Sequence, residues 1–589
     1  MQKKLFSGLR QHRIPPAVGG IQVNFCKKPT CANYGVPALQ RISRGQNAIK
    51  DNYTIGASGK GIPVLKCHGC GEHPPMKSNS GIAEEQQRLV EYLNPPPEPC
   101  CANDACQSHL VGIYSNPSDY IAFGKTAAGA QRYRCKLCGK TLTIGKPTSR
   151  QRASHKNRTV FSLLMNKVPF RRICEAAEIN PKTLYDKIDF LHRQSQAFVG
   201  HRERKLLEGH TLRRVYVGVD RQDYVVNWTQ RQDKRNIQLS AVGSADNETG
   251  YVFGMHLNYD PSLDPDQVES DAERIGDCDL ASPFRRYARV WLSCDYMRAL
   301  LSRNSLKLPG HTLEADIAGS YRQAMEREDI EDFETPDDTV RLPGAGMQIH
   351  AEYTLYAHFF LLKKFFGGVE KIRFFLDQDS GMRAACLGAF QEEIKSRRCD
   401  AFYVRINKDL TIDEKKQALA ASRKVFRAIR KQEPNLTDNE IRLQLIKESM
   451  ASMSEIGQWK DRWLTHPFPN MSEPEKAICY LTDYGDYDDD HHAWLYNKAS
   501  LHAIDCFFMQ VRRRLSLLER PYATASSARR MWHGYSAYNP KSIVKLLDIF
   551  RVYYNYCQKG QDGLTPAMRL GLAKGNVSLE DIIYYQEYN

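Results

Sequence analysis

One cysteine arrangement is written twice at the start of the chain, and it constrains the N-terminal fold more than any other feature. Cys26 and Cys31 are followed by Cys67 and Cys70, and Cys101 and Cys106 by Cys135 and Cys138. Each set is a C-x4-C pair, a long excursion and a C-x2-C pair. Two thiolate pairs on tight turns are what a closed tetrahedral structural zinc site needs, because one ion then joins both turns. From Cys26 to Cys101 is 75 positions and from Cys67 to Cys135 is 68, so the length difference falls in the excursion. The pattern predicts two zinc ribbons, residues 1–95 and 96–150, with one zinc each. Cys101 rather than its neighbour Cys100 reproduces the first copy's spacing, and His68 is expected to be a bystander.

Cys174, Cys278, Cys294, Cys386, Cys399, Cys479, Cys506 and Cys557 lack ligand spacing and are expected as free buried thiols in a reducing compartment. A length of 589 residues leaves room for about three or four domains. No run of 18 apolar residues is present, so no membrane helix is expected, and MQKKLFSGLRQHRIPPAVGG lacks the apolar region of a secretory signal.

The net charge of +15 is concentrated. Residues 121–215 hold 21 Lys and Arg against 6 Asp and Glu, the footprint of a protein that neutralises phosphates. Within this block a helical period is broken into three. Val160, Leu163 and Leu164 mark the first helix, Ile173, Ala176 and Ala177 the second, and Leu184, Ile188 and Leu191 the third. Asn180 suits an N-cap and Pro181 the first turn. The third helix then presents Lys182, Thr183, Tyr185 and Asp186 where a recognition helix meets base edges, which predicts a helix-turn-helix over 151–205.

GKTAAGAQRYRCKLCGKTL, residues 124–142, together with the helices after it, resembles the N-terminal DNA-binding region of bacterial insertion-sequence transposases of the zinc-ribbon type. The resemblance covers about residues 101–195. It implies binding of duplex DNA at the element's terminal inverted repeats, with Arg132 and Arg134 among the contacts. It also implies a following RNase H-like core of DDE or DDD type, a homo-oligomer on DNA (dimer or higher), and a cytoplasmic, nucleoid-associated bacterial protein without membrane association.

The expected core can be sought in the residues themselves. RRVYVGVD, 213–220, reads as a buried strand ending at Asp220; 237–257 reads as a hairpin; 350–368 as a helix; KIRFFLD as a strand ending at Asp377. A helix around 383–396 and a strand at 401–406 complete the element order of an RNase H fold. Phosphodiester chemistry suits two Mg2+ ions, which Mn2+ can replace, held by carboxylates converging from different elements. Asp220 and Asp377 are the candidates, with Asp379 the rival for the second position.

Residues 502–521 have helical periodicity, and Asp505 and Arg512 lie seven apart on one face. This resembles the transposase pattern of an acid on the last core helix followed by a basic DNA contact. Asp505 stands where the family commonly has Glu, so Glu519 remains an alternative. Arg512 and Arg513 are the implied DNA contacts there. The run 550–573, with its YN and TPA, is similar to the close of integrase-type cores; its tyrosines suit either a core or a DNA surface.

Two insertions are expected, at about 259–340 and as a helical domain at 409–498. DYGDYDDDHH, 483–492, reads as an acidic solvated loop. The expected architecture is thus multidomain α/β. Two zinc ribbons and a helix-turn-helix precede an RNase H-like mixed-sheet core, in two parts at 210–408 and 499–589. The expected activity is metal-dependent DNA cleavage and strand transfer on element ends and target DNA. A non-enzymatic zinc-containing DNA-binding regulator and an RNase H-like nuclease without strand transfer are the alternatives.

Overall fold

Strands such as VYVGV and FFL carry no polar face, so they must lie in the middle of a sheet covered on both sides. The computed structural model places them there. It describes residues 12–41, 50–57, 62–149, 151–209, 212–226, 237–301, 345–407, 409–457, 460–519, 522–523, 531–532 and 539–588.

In chain order, the first cysteine set sits on hairpin β1 (Tyr53–Ala57) and β2 (Pro63–Cys67), followed by helix α1 (Asn79–Val90). The second sits on an antiparallel sheet of β3 (Tyr120–Lys125), β4 (Gln131–Cys135) and β5 (Thr141–Ile144). Helices α2 (Asn157–Leu164), α3 (Phe170–Ala176) and α4 (Pro181–Leu207) follow. The Asn180 side chain accepts the Thr183 N–H at 2.8 Å, capping α4 as its sequence predicts.

The large sheet begins with β6 (Arg214–Val226), β7 (Ile237–Asp246) and β8 (Val252–Leu257). It continues through α5 (Ala351–Phe365), β9 (Lys371–Asp377), α6 (Ser380–Ala389) and β10 (Cys399–Ile406). Next come α7 (Ile412–Gln432), α8 (Asp438–Met450), β11 (Ser454–Ile456), β12 (Asp461–Thr465) and β13 (Lys476–Tyr480). Helices α9 (Asp489–Lys498) and α10 (His502–Arg514) complete this part. The eight strands lie in the order β11-β12-β13-β10-β9-β6-β7-β8. β6, β9 and β10 are parallel neighbours, while β7, β8 and the β13 edge pair antiparallel.

Aromatic contacts identify the layers. On one face Phe374 of β9 meets Phe359 of α5 with ring centroids 5.5 Å apart. On the other, Phe402 of β10 meets Tyr496 of α9 at 6.2 Å. The chain divides into two compact units. One takes the chain up to Leu89 and the segment 211–509; the other takes 90–210 and the C-terminal part from 542, with 510–535. The first cysteine set therefore belongs with the large sheet, and the second with helices α2 to α4.

Several expectations need correction. β6 runs past Asp220 to Val226, because its pairing with β7 continues to Val226 beside Ile237. The 409–498 stretch is not purely helical: β11, β12 and β13 extend the sheet edge beyond β10. The helix expected around 383–396 starts at Ser380 and breaks at Phe390, with a separate turn Gln391–Lys395. α10 stops at Arg514, where Leu515 turns to extended backbone, so Glu519 lies outside it. Cys278 and Cys294 are joined in a disulfide rather than free; their Cα atoms are 6.3 Å apart. The acidic run ends in a cap, Asp488 accepting the His491 N–H at the start of α9. Much of the 259–340 insertion, residues 302–340, lies outside the described residues.

Candidate functional site

Each cysteine set closes on itself. Cys26 Sγ lies 3.4 Å from Cys70 Sγ and Cys31 Sγ 3.8 Å from Cys67 Sγ. The second set repeats this, with Cys101 to Cys138 at 3.3 Å and Cys106 to Cys135 at 3.8 Å. A tetrahedral zinc with bonds of about 2.3 Å separates its sulfurs by about 3.8 Å, so both sets fit the ion. Within each set all four sulfurs lie within 4.8 Å of one another. His68 is instead bonded to the Thr54 hydroxyl, and Cys100 is outside the second set.

The thiols differ in how readily they ionise. Burial pushes Cys101 up to about 12 and Cys70 up to about 11. Burial, then Glu72, also raises Cys26. The Lys140 N–H, then Cys101, hold Cys138 down to about 6. Cys67 is lowered although burial opposes it, since the Asn33 amide donates to its sulfur at 3.2 Å. Binding a cation would require all four to ionise together, with the ion sharing their charge.

Sequence reasoning did not find what holds the first knuckle of each site. The Cys26 N–H donates to the Tyr53 hydroxyl at 3.0 Å, and the Cys101 N–H to that of Tyr120 at 3.0 Å. A tyrosine in a β-strand is an unremarkable core residue in sequence, and the match appears only in the strand pairing, where Tyr53 lies beside Cys67 and Tyr120 beside Cys135.

In the large sheet, β6 and β9 run in register from Lys371 beside Arg214 to Leu376 beside Val219, and Asp220 and Asp377 are the residues that follow that last pair. Neighbours in register present the same face. That face is covered by α10: a Cβ on Gly243, the β7 partner of Asp220, would stand 2.7 Å from Ile504 and Phe508. One on Gly218 would be 3.5 Å from Ile504, so these glycines let the helix descend onto the strands. The Gln222 amide donates to the Phe508 carbonyl at 3.3 Å. Asp505 follows Ile504 on this helix. Asp220 lies on β6, Asp377 ends β9 and Asp505 lies on α10; Asp220 is buried and the other two are half-buried.

The rival carboxylates are placed differently. Asp379 caps α6, accepting the Met382 N–H at 2.9 Å, and pairs with Arg221 at 2.7 Å. Glu519 is in the other unit, paired with Lys167 at 2.6 Å.

In the basic unit, Arg132 and Arg134 stand over the Phe123 ring at 5.2 and 5.7 Å. Ile121 and Phe123 are exposed beside them, giving an apolar and cationic face on the ribbon. On α4, Lys182, Tyr185 and Asp186 are exposed. Thr183 is only 8% exposed, which removes it from the expected reading face: its backbone serves the cap and its side chain packs inward. At the end of α10, Arg513 is exposed and Arg512 half-buried. No helix among the described residues is long and apolar enough to cross a membrane. No protein-family model matches the chain, and no curated protein matches it.

Proposed function

We propose that this chain is a DNA transposase with an RNase H-like core, which binds the ends of a mobile element and catalyses metal-dependent cleavage and strand transfer. The observation that carries the reading is that Asp220 and Asp377 each follow the last registered pair, Val219 beside Leu376, of two adjacent parallel strands, on a sheet covered by the helix that bears Asp505. Support also comes from the strand order β8-β7-β6-β9-β10, three antiparallel strands followed by two parallel ones, as the resemblance implies. Asp220, Asp377 and Asp505 would hold two Mg2+ ions, for which carboxylate oxygens are the preferred donors. Such ions activate the attacking oxygen and stabilise the leaving one. The chain's own part is to fix three carboxylates on rigid elements. The second ribbon and α4 supply a basic surface for the duplex, and the protein would act as a homo-oligomer there.

The test is a cleavage assay. DNA carrying the inverted repeats that flank the coding sequence, given the full chain and Mg2+, should be cut at the repeat ends and joined to target DNA. Cutting without joining would favour a nuclease of the same fold. Specific end binding with neither reaction would favour a regulator.

A further inference from the structure

We infer that the first cysteine site is a positioning device for the carboxylate site, acting through Glu72 and Arg383. This rests on the carboxylate reading above and adds a second working part to it.

Glu72 stands two residues after Cys70 and is buried. One of its oxygens accepts the Lys27 N–H at 2.6 Å and lies 3.4 Å from Cys26 Sγ. The other accepts from Arg383 Nη1 at 2.9 Å, while Arg383 Nη2 donates to the Lys27 carbonyl at 3.3 Å. Both knuckles of the site are therefore joined to one guanidinium, a two-pronged contact with directional as well as ionic content. Arg383 belongs to α6, and its N–H donates to the Asp379 carbonyl at 3.0 Å. The Asp379 N–H in turn donates to the Asp377 carbonyl at 2.7 Å. One turn further along α6, the buried Tyr34 hydroxyl donates to the Leu387 carbonyl at 2.8 Å. The helix that starts three residues after Asp377 is thus gripped at two successive turns by the first ribbon, all within one unit.

The second ribbon makes the contrast. Its residue at the place of Glu72, two after the last cysteine, is Lys140, which is exposed; Ala102 stands at the place of Lys27. The two copies share ligands and tyrosine but have opposite charge at this position. An acid is turned inward onto α6 in one and a base outward to solvent in the other. Side chains behind a metal's own ligands change its affinity by about 10- to 100-fold when removed. A support reached through Asp379 should act at the lower end of that range.

The experiment uses the full chain with both zincs bound, and titrates Mn2+ into it by electron paramagnetic resonance and into the cleavage reaction. Glu72→Gln and Arg383→Met should each raise the Mn2+ concentration at half-saturation about tenfold in both titrations. Maximal cleavage at saturating Mn2+, DNA affinity and zinc content should stay near wild type. Arg383→Lys, which keeps the charge without the fork, should recover part of the shift and gives a reading even where Arg383→Met folds poorly. Lys140→Gln should bind Mn2+ as wild type does. An unchanged midpoint in Glu72→Gln overturns the inference. Wild-type Mn2+ binding that survives Asp377→Ala overturns the carboxylate reading instead, and the inference falls with it.

Discussion

Tyr53 holds Cys26 by its backbone: the buried phenol accepts the Cys26 N–H at 3.0 Å and donates to the Val36 carbonyl at 2.7 Å. Val36 is five residues after Cys31. Tyr120 does the same for Cys101, donating to the Val111 carbonyl, five residues after Cys106. One hydroxyl therefore ties the start of each C-x4-C knuckle to the turn that follows it. The ribbon is organised around this link as well as around its four sulfurs.

Tyr53→Phe and Tyr120→Phe each leave a buried N–H without its acceptor, at a cost of about 1 to 3 kcal/mol. All four thiolates remain. Each variant should still bind two zincs, but should lose one of them faster to a competing chelator, as followed by a chromogenic zinc indicator. Release at the wild-type rate would show that the phenols only fill space.

The carboxylates should separate by role. Asp220→Ala, Asp377→Ala and Asp505→Ala are each expected to abolish Mg2+-dependent cleavage while DNA binding persists. Every 1.36 kcal/mol of lost transition-state stabilisation is about tenfold in rate, and a two-ion site contributes several kcal/mol. Asp379→Ala removes a helix cap, which costs about 1 kcal/mol, and should lower the melting temperature while slowing cleavage far less than Asp377→Ala. Glu519→Ala loses a partly exposed ion pair and should change stability by less than about 1 kcal/mol. A dead Glu519→Ala beside an active Asp505→Ala would move the third carboxylate.

The parts of this molecule that the sequence displays are those with short-range periodicity. The cysteine pairs, the Asn180 cap and the apolar strands around Asp220 and Asp377 are visible because ligand spacing, capping chemistry and burial are local. The strand edge β11 to β13 was hidden behind the helical pattern of α7 and α8, whose period dominates the segment. Glu72 and Arg383 could not be paired, since their partnership spans 311 positions and nothing near either one announces it. The cap that Asp379 makes and its pairing with Arg221 were equally hidden, since alternation alone shows neither.

DNA binding should divide between reading and holding. In the full chain, Arg132→Ala and Arg134→Ala are expected to weaken binding to all duplexes and each to lower the salt slope by about 1 if it holds a phosphate. Lys182→Ala and Tyr185→Ala should reduce preference for the cognate end over unrelated DNA. Thr183→Ala, buried beside the cap, should affect melting more than binding. Fluorescence anisotropy at several salt concentrations distinguishes these outcomes.

The cysteine count gives the last prediction. Of 17 cysteines, 15 are outside any disulfide, eight of them in the two four-cysteine sets, and two form the Cys278–Cys294 bridge. Alkylation after unfolding in chelator, without reductant, should therefore modify 15 positions by mass, and 17 after reduction. Closing a loop of this length stabilises by about 3 kcal/mol in the chain-entropy account. Here the gain should be smaller, because the loop is already folded back by other contacts. Asp277 accepts the N–H groups of Arg286 and Tyr287 at 2.7 and 2.9 Å, and the buried Arg285 pairs with Asp295 at 2.7 Å. Reduced protein should keep its fold, with Cys278→Ser costing less than Asp295→Ala, which leaves the Arg285 charge buried without this partner. Full alkylation without reductant would remove the bridge while leaving the Arg285 and Asp295 pair to hold the loop.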